Sequence, residues 1–72
     1  MHKTERQATG YAQRMAYLTE EPWHWFVIPE GTGAYLHGGR WGTFRDSQRA
    51  AYEADGAVVS GTAYPERANA PR

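Results

Sequence analysis

Cysteine is absent from this 72-residue sequence, which excludes disulfide bonds and thiolate metal sites. A chain of this length forms one domain and buries only about 60% of the surface that its unfolded form exposes. Small domains usually compensate with disulfides, a structural metal or association. Close packing or association with another chain therefore has to stabilise the fold, and the lack of cysteine fits a reducing compartment.

A long hydrophobic run is also missing. The longest apolar stretch, residues 23 to 28, is interrupted by His24 and is far shorter than a membrane span. The first seven residues are polar, which predicts no secretory signal. We therefore expect a cytoplasmic protein that has no membrane partner.

Neither sign of charge is in excess, because eight basic and eight acidic residues cancel. Proteins that bind phosphate backbones are normally basic, so this neutrality argues against non-specific nucleic-acid binding. A local basic patch stays open as an alternative, since Arg40, Arg45 and Arg49 lie close together in the sequence. Near-zero charge also gives little protection against self-association.

The sequence does contain clear periodic patterns, and the first predicts a helix over residues 4 to 19. Thr4 and Gln7 have the spacing of a capping box, and Pro22 ends the element. The apolar residues at helical spacing form one stripe. They are Ala8, Tyr11, Ala12, Met15 and Leu18.

A β-hairpin is predicted next. Residues 23 to 28 are aromatic and β-branched and lie between two prolines, which is typical of a strand. Residues 30 to 33 predict a turn, and residues 34 to 37 predict the return strand. The glycines of residues 38 to 42 predict a bulge or a flexible corner.

A second helix is predicted over residues 43 to 54, with Thr43 as its N-cap. Residues 57 to 59 fit either a final helical turn or a short third strand. The predicted fold class is therefore α+β, with the order helix, antiparallel hairpin, helix (αββα) and a possible short third strand. We expect one domain over residues 1 to 61 and a flexible tail over residues 62 to 72.

The predicted hairpin is apolar on both faces, whichever register it adopts. With a three-residue loop, Phe26 and Ile28 lie on the same face as Ala34 and Leu36 of the return strand. With a loop of two or four residues, Trp23, Trp25 and Val27 lie on that face instead. Because the apolar stripes of the two helices are mostly alanine, we expect the helices to pack closely on one face of the hairpin rather than to cover both. An uncovered aromatic face predicts an interaction surface, which a homodimer would bury. The alternative is that Trp23 and Trp25 are core residues of the monomer, with only Tyr35 and Trp41 partly exposed.

No pattern predicts catalysis. His24 and His37 are too few for a closed zinc site and fit ordinary sheet-surface histidines better. Ser47 and Ser60 lie in no nucleophile elbow, and the glycine-rich segment from Gly38 to Gly42 lacks the lysine of a phosphate loop. We therefore expect a protein that is not an enzyme, with no cofactor and no metal.

The layout Trp-x-Trp-x-Val, turn, glycine-rich corner, Gly42-Thr43 and alanine-rich helix covers about residues 22 to 55. It resembles many short proteins of bacteriophages and mobile elements. Such proteins are often stoichiometric inhibitors of host defences, including CRISPR-type systems, and the resemblance carries over no binding residues. It implies an inhibitor that acts in the host cell.

Residue chemistry and this resemblance together predict a non-enzymatic module that binds a host protein or protein complex, with a homodimer as a further possibility. The large aromatic and cationic side chains of the hairpin and its corner are the expected contacts. They are Trp25, Tyr35, His37, Arg40, Trp41 and Arg45. The alternative function is a small nucleic-acid-binding module that uses the arginines and aromatics of residues 40 to 49.

Overall fold

The computed structural model describes residues 1 to 65 and has the predicted α+β class. One long helix precedes a three-stranded antiparallel sheet, and two short helices lie in the connections between strands. The elements are α1 (Glu5–Thr19), β1 (Trp23–Val27), α2 (Gly33–Leu36), β2 (Trp41–Arg45), a 3₁₀ turn (Asp46–Gln48), α3 (Arg49–Ala54) and β3 (Val59–Ala63). The strand order is β2-β1-β3, so β1 lies in the centre.

Helix α1 confirms the predicted first helix and its cap. The Thr4 hydroxyl accepts a hydrogen bond from the Gln7 backbone N–H at 3.1 Å, and the Gln7 amide oxygen accepts one from the Lys3 backbone N–H at 3.0 Å. Glu20 ends the helix in the left-handed conformation, with a φ of 58°. The predicted stripe is partly wrong, because Leu18 is exposed and Ala16 is buried instead.

The return strand was predicted in the wrong place. Residues 33 to 36 form a single helical turn, capped by the Thr32 hydroxyl, and the partner of β1 is Trp41–Arg45. The predicted second helix is therefore too long: a 3₁₀ turn begins at Asp46 and the α-helix only at Arg49. Trp41, Thr43 and Phe44 are strand-forming residue types, and pairing with β1 outweighs the capping signal at Thr43.

Of the two alternatives for residues 57 to 59, the third strand is the one found, and it begins at Val59: β3 pairs with the other edge of β1. The register shifts by one residue between Trp25 and Phe26, which is a β-bulge that opposes an extra residue of β3. Strand β3 runs to Ala63, two residues beyond the expected domain boundary at 61. Residues 66 to 72 of the predicted tail lie outside the described residues.

Each face of the sheet carries its own buried cluster. On the α1 face, Trp23 and Ala63 pack against Ala12 and Ala16 of the helix. On the opposite face, called the far face below, Phe26, Ile28 and Phe44 form the second cluster. Tyr52 of α3 stacks on Phe44 with a ring-centroid distance of 4.5 Å and an interplanar angle of 8°.

Both register alternatives were wrong, since each paired β1 with residues 34 to 37. The expectation that helices cover only one face is also corrected, because α3 and the connecting segments contact the far face. Coverage of the α1 face is incomplete at one end. There Val27, the last residue of β1, keeps 53% of its surface exposed.

Candidate functional site

The six side chains predicted to bind a partner do not form one surface, although Trp25 and Trp41 lie close together. Alternation along the strands puts Trp25, Trp41 and Arg45 on the α1 face, with Arg45 opposite Trp23 at the far end of the ladder. Tyr35 lies in α2 and packs against the far-face cluster. The Arg40 guanidinium lies over the Tyr35 ring, at the corner before β2. His37 caps α2 and is exposed.

The uncovered end of the α1 face forms one apolar surface, which we call the tryptophan patch and define as Trp25, Val27 and Trp41. Val27 lies directly opposite Trp41 in the ladder, and Trp25 lies two residues away on the same face. Both tryptophans are partly exposed. The patch therefore combines two large rings with an exposed valine on a rigid strand pair.

Specific contacts hold the ring of Trp25 and the backbone of Trp41 in the tryptophan patch. The Trp25 indole N–H donates to the Glu5 carboxylate at 3.1 Å, and the ring lies across Gly61 of β3. The backbone of Trp41 is bridged on its outer edge by His2, through N–H···O bonds of 2.9 Å in both directions. The Trp25 side chain is therefore ordered before any partner binds, which lowers the entropic cost of an interface that uses it.

The Arg40 side chain is engaged within the corner itself. Its guanidinium lies 3.9 Å from the centroid of the Tyr35 ring and donates to the carbonyl oxygens of Tyr35 and Gly39 at 3.1 and 3.2 Å. These contacts close the loop between α2 and β2. The observed contacts of Arg40 therefore stabilise the corner itself.

The other two arginines of the basic segment also have partners. Arg45 lies 3.8 Å from the Glu21 carboxylate, and Arg49 pairs with Glu53 at 3.2 Å on α3. The nucleic-acid hypothesis for residues 40 to 49 needs these guanidinium groups to face one ligand. They are instead distributed over a corner, a strand and a helix, and the hypothesis stays a prediction.

A hydrogen-bonded chain centred on buried His24 lies on the far face, and the sequence pattern did not predict it. The His24 ring is 1% exposed, and its Nε2 lies 2.7 Å from the Asp46 carboxylate while its Nδ1 lies 2.8 Å from the Thr62 hydroxyl. His24 was expected on the sheet surface, and that expectation is wrong. The sequence does contain a signal for its burial: residues 24, 26 and 28 point to the same face of a strand, which places the imidazole beside the apolar side chains of Phe26 and Ile28.

A hydroxyl, an imidazole and a carboxylate in this order also occur in nucleophilic enzymes. Here the imidazole is closed off from solvent, so no substrate can approach it without opening the sheet. In its neutral form the ring donates from Nε2–H to Asp46 and accepts from the Thr62 hydroxyl, which satisfies both nitrogens. We interpret these hydrogen bonds as a clamp that joins β1 and β3 to Asp46, the residue that follows β2.

Within residues 1 to 65, no three His, Asp or Glu side chains come together in a way that would hold a metal ion. The same part of the chain contains no helix with the length and apolar character needed to cross a bilayer. No protein-family model, curated protein or solved structure matches this sequence.

Proposed function

We propose that this chain is a small, non-enzymatic protein-binding module whose tryptophan patch takes an apolar side chain of a partner protein. The observation that carries the proposal is the pairing of half-exposed Val27 with Trp41 and Trp25 at the end of the sheet that α1 leaves open. Trp is among the residue types that contribute most to interface energies. A patch built on strands also presents these groups in a fixed geometry.

The resemblance to short bacteriophage proteins suggests what such a module does. It would act in the host cytoplasm as a stoichiometric inhibitor of a host protein complex, such as a CRISPR-type nuclease. Binding of a second copy through the same patch is the competing use, since near-zero net charge gives little repulsion between copies. Both uses predict a loss of association when the patch is changed.

The test compares two exposed valines that differ in location. Val27→Thr alters the tryptophan patch, and Val58→Thr is the matched control, because Val58 is 75% exposed and precedes β3. Trp41→Ala removes a candidate anchor and is expected to weaken binding by about 30-fold, the equivalent of about 2 kcal/mol. Circular dichroism of each variant checks that the fold is retained.

The readout is inhibition of target cleavage by a purified RNA-guided nuclease complex, with partner capture from host lysate as a second measurement. Wild type and Val58→Thr should inhibit and should capture the same protein, while Val27→Thr and Trp41→Ala should do so less. Equal capture by all four folded proteins would contradict the use of this patch. Sedimentation analysis that shows a dimer broken by Val27→Asp would assign the patch to self-association instead.

A further inference from the structure

The charged residues are unevenly distributed along the chain, although the net charge is zero. Residues 1 to 19 contain three basic side chains and one acidic side chain, whereas residues 20 to 65 contain three basic and six acidic ones. The three basic groups of the N-terminal part are Lys3, Arg6 and Arg14. A ligand that carries negative charge would therefore be attracted to the α1 side of the molecule.

Two of these arginines line one groove along α1, which we call the α1 groove. Its volume is about 480 Å³, and its lining is His2, Arg6, Gln7, Gly10, Tyr11 and Arg14. Within residues 1 to 65, neither Arg6 nor Arg14 has a carboxylate within ion-pair distance. They differ in this respect from Arg45 and Arg49, which each have an acidic partner.

The arginines are spaced to contact an extended ligand. Arg6, Gly10 and Arg14 recur every four residues and so follow one side of the helix, over about 12 Å of its axis. Gly10 leaves the middle of the groove open, and a Cβ at this position would meet no atom within 4 Å. Packing does not explain this glycine, although glycine within a helix costs about 1 kcal/mol relative to alanine.

An aromatic ring lies beside the two cations. Tyr11 packs against the His2 ring with centroids 5.1 Å apart and against the edge of Trp23 at 5.9 Å, and it keeps 36% of its surface exposed. The ring is therefore fixed on one side and accessible on the other. A fixed aromatic ring next to cations that follow a backbone is the arrangement found in proteins that bind single-stranded nucleic acid.

We propose that the α1 groove binds single-stranded nucleic acid, with Arg6 and Arg14 contacting two backbone phosphates and Tyr11 stacking on a base. A base within a duplex is already stacked and cannot cover the exposed part of the Tyr11 ring, so single strands are preferred. The site is separate from the tryptophan patch in its residues and in the chemistry of its ligand. It also differs from the segment 40 to 49, where the arginines already have partners.

The test measures binding of a fluorescent oligothymidylate by anisotropy over a range of salt concentrations. Two phosphate contacts predict a slope of log affinity against log salt of about −1.4, or about a sevenfold loss between about 50 and 200 mM salt. Arg6→Gln and Arg14→Gln should each reduce the slope to about −0.7. Arg49→Gln removes the same charge from α3 and is the matched control, with no expected change.

Two further variants separate stacking and groove shape from folding. Tyr11→Leu should weaken binding by about fivefold or more, since a stacked base contributes at least about 1 kcal/mol. Gly10→Gln should raise the melting temperature, because glutamine is the better helix former, and yet it should weaken binding by filling the groove. Weaker binding by a more stable protein cannot be attributed to unfolding.

Three results would overturn the proposal. The first is no binding of oligothymidylate at low salt. The second is an equal effect of Arg49→Gln and Arg6→Gln, which would indicate attraction by overall charge alone. The third is binding of inorganic polyphosphate or duplex DNA as tight as that of the single strand, together with no effect of Tyr11→Leu, which would leave a general anion site.

Discussion

The two faces of the sheet are closed by different kinds of side chain. On the α1 face, three alanines of one long helix approach the strands closely, and the strands supply the large rings. On the far face, the strands and the short helix α3 both supply rings, with the buried polar group of His24 among them. One face therefore depends on backbone proximity and the other on interlocking aromatic side chains.

This difference accounts for where the exposed apolar surface of the sheet lies. A helix that approaches through alanines covers the strand residues beneath it, and at its first turn only the Glu5 carboxylate, which binds the Trp25 indole, is seen to reach the open end of the sheet. Val27 consequently stays exposed and Trp41 partly exposed at this end of the sheet. On the far face, Tyr52 reaches from α3 to both Phe26 and Phe44 and closes the cluster with one side chain.

The largest expected effect comes from removing the centre of the far face. Phe44 is 1% exposed and contacts His24, Phe26 and Tyr52. We expect Phe44→Ala to lower the free energy of unfolding by about 3–5 kcal/mol, which is most of the stability of a small domain. Urea denaturation measures this change, and a loss below about 1 kcal/mol would show that the aromatic cluster is not a main source of stability.

The second prediction compares a glycine on each face. Gly42 lies under the Phe26 ring and Gly61 under the Trp25 ring, and a Cβ would come within 2.6 Å of Phe26 in one case and overlap the Trp25 ring in the other. Both Gly→Ala changes should destabilise, within the range of about 1–3 kcal/mol for overpacking. Gly42→Ala should cost more, because Phe26 is buried whereas the partly exposed Trp25 ring has solvent to move into. Thermal unfolding of both variants checks the order, and the reverse order would contradict this view of the faces.

The third prediction concerns the polar clamp of the far face. Thr62→Val keeps the shape of the side chain and removes the hydroxyl that lies 2.8 Å from His24 Nδ1. The buried nitrogen then lacks a partner, which should cost about 1–3 kcal/mol. Thr43→Val is a control with the same chemistry on the α1 face, where Thr43 has no side-chain hydrogen bond within residues 1 to 65 and little change is expected. Denaturant titrations of both variants provide the measurement.

The smallest expected effect concerns His2, which pairs with the edge of β2 beside α1. Burial and the N-terminal ammonium hold the pKa of His2 below its usual 6.5. Arg6 and Arg14 line the same groove as His2, and Tyr11 packs against the His2 ring. The unfolded chain then binds the proton more readily, so His2 reduces stability as the pH falls below about 6.5. His2→Gln should make the loss of stability over this range slightly smaller. An identical pH profile for the two proteins would contradict the prediction, and binding of an anion in the α1 groove should raise the pKa of His2 in an NMR titration.

Local sequence patterns predicted the elements that depend on short-range interactions. The Thr4–Gln7 capping spacing and the following proline defined α1, and the run of aromatic and β-branched residues defined β1. The choice of return strand was wrong because Ala34 to His37 and Trp41 to Arg45 are both plausible partners by composition, and only pairing with β1 separates them. The tryptophan patch was partly predicted, through Trp25 and Trp41, and Val27 joined it only when the register was known.

The α1 groove and the buried clamp of His24 were not predicted, for a related reason. The clamp joins residues 24, 46 and 62, which are far apart in sequence and meet only in the folded sheet. The groove depends on which arginines have acidic partners, and summed composition conceals this information. Neutral net charge was therefore a misleading guide to the local surface of α1.

The sequence by itself determined the α+β class, the first helix with its cap, the central strand and the absence of disulfides, because each depends on neighbouring residues or on composition. The tertiary structure decided the strand partners, the face on which each ring lies and the side chains that remain accessible. Those features depend on contacts between distant residues, where a change of one residue in register moves every side chain of a strand to the opposite face.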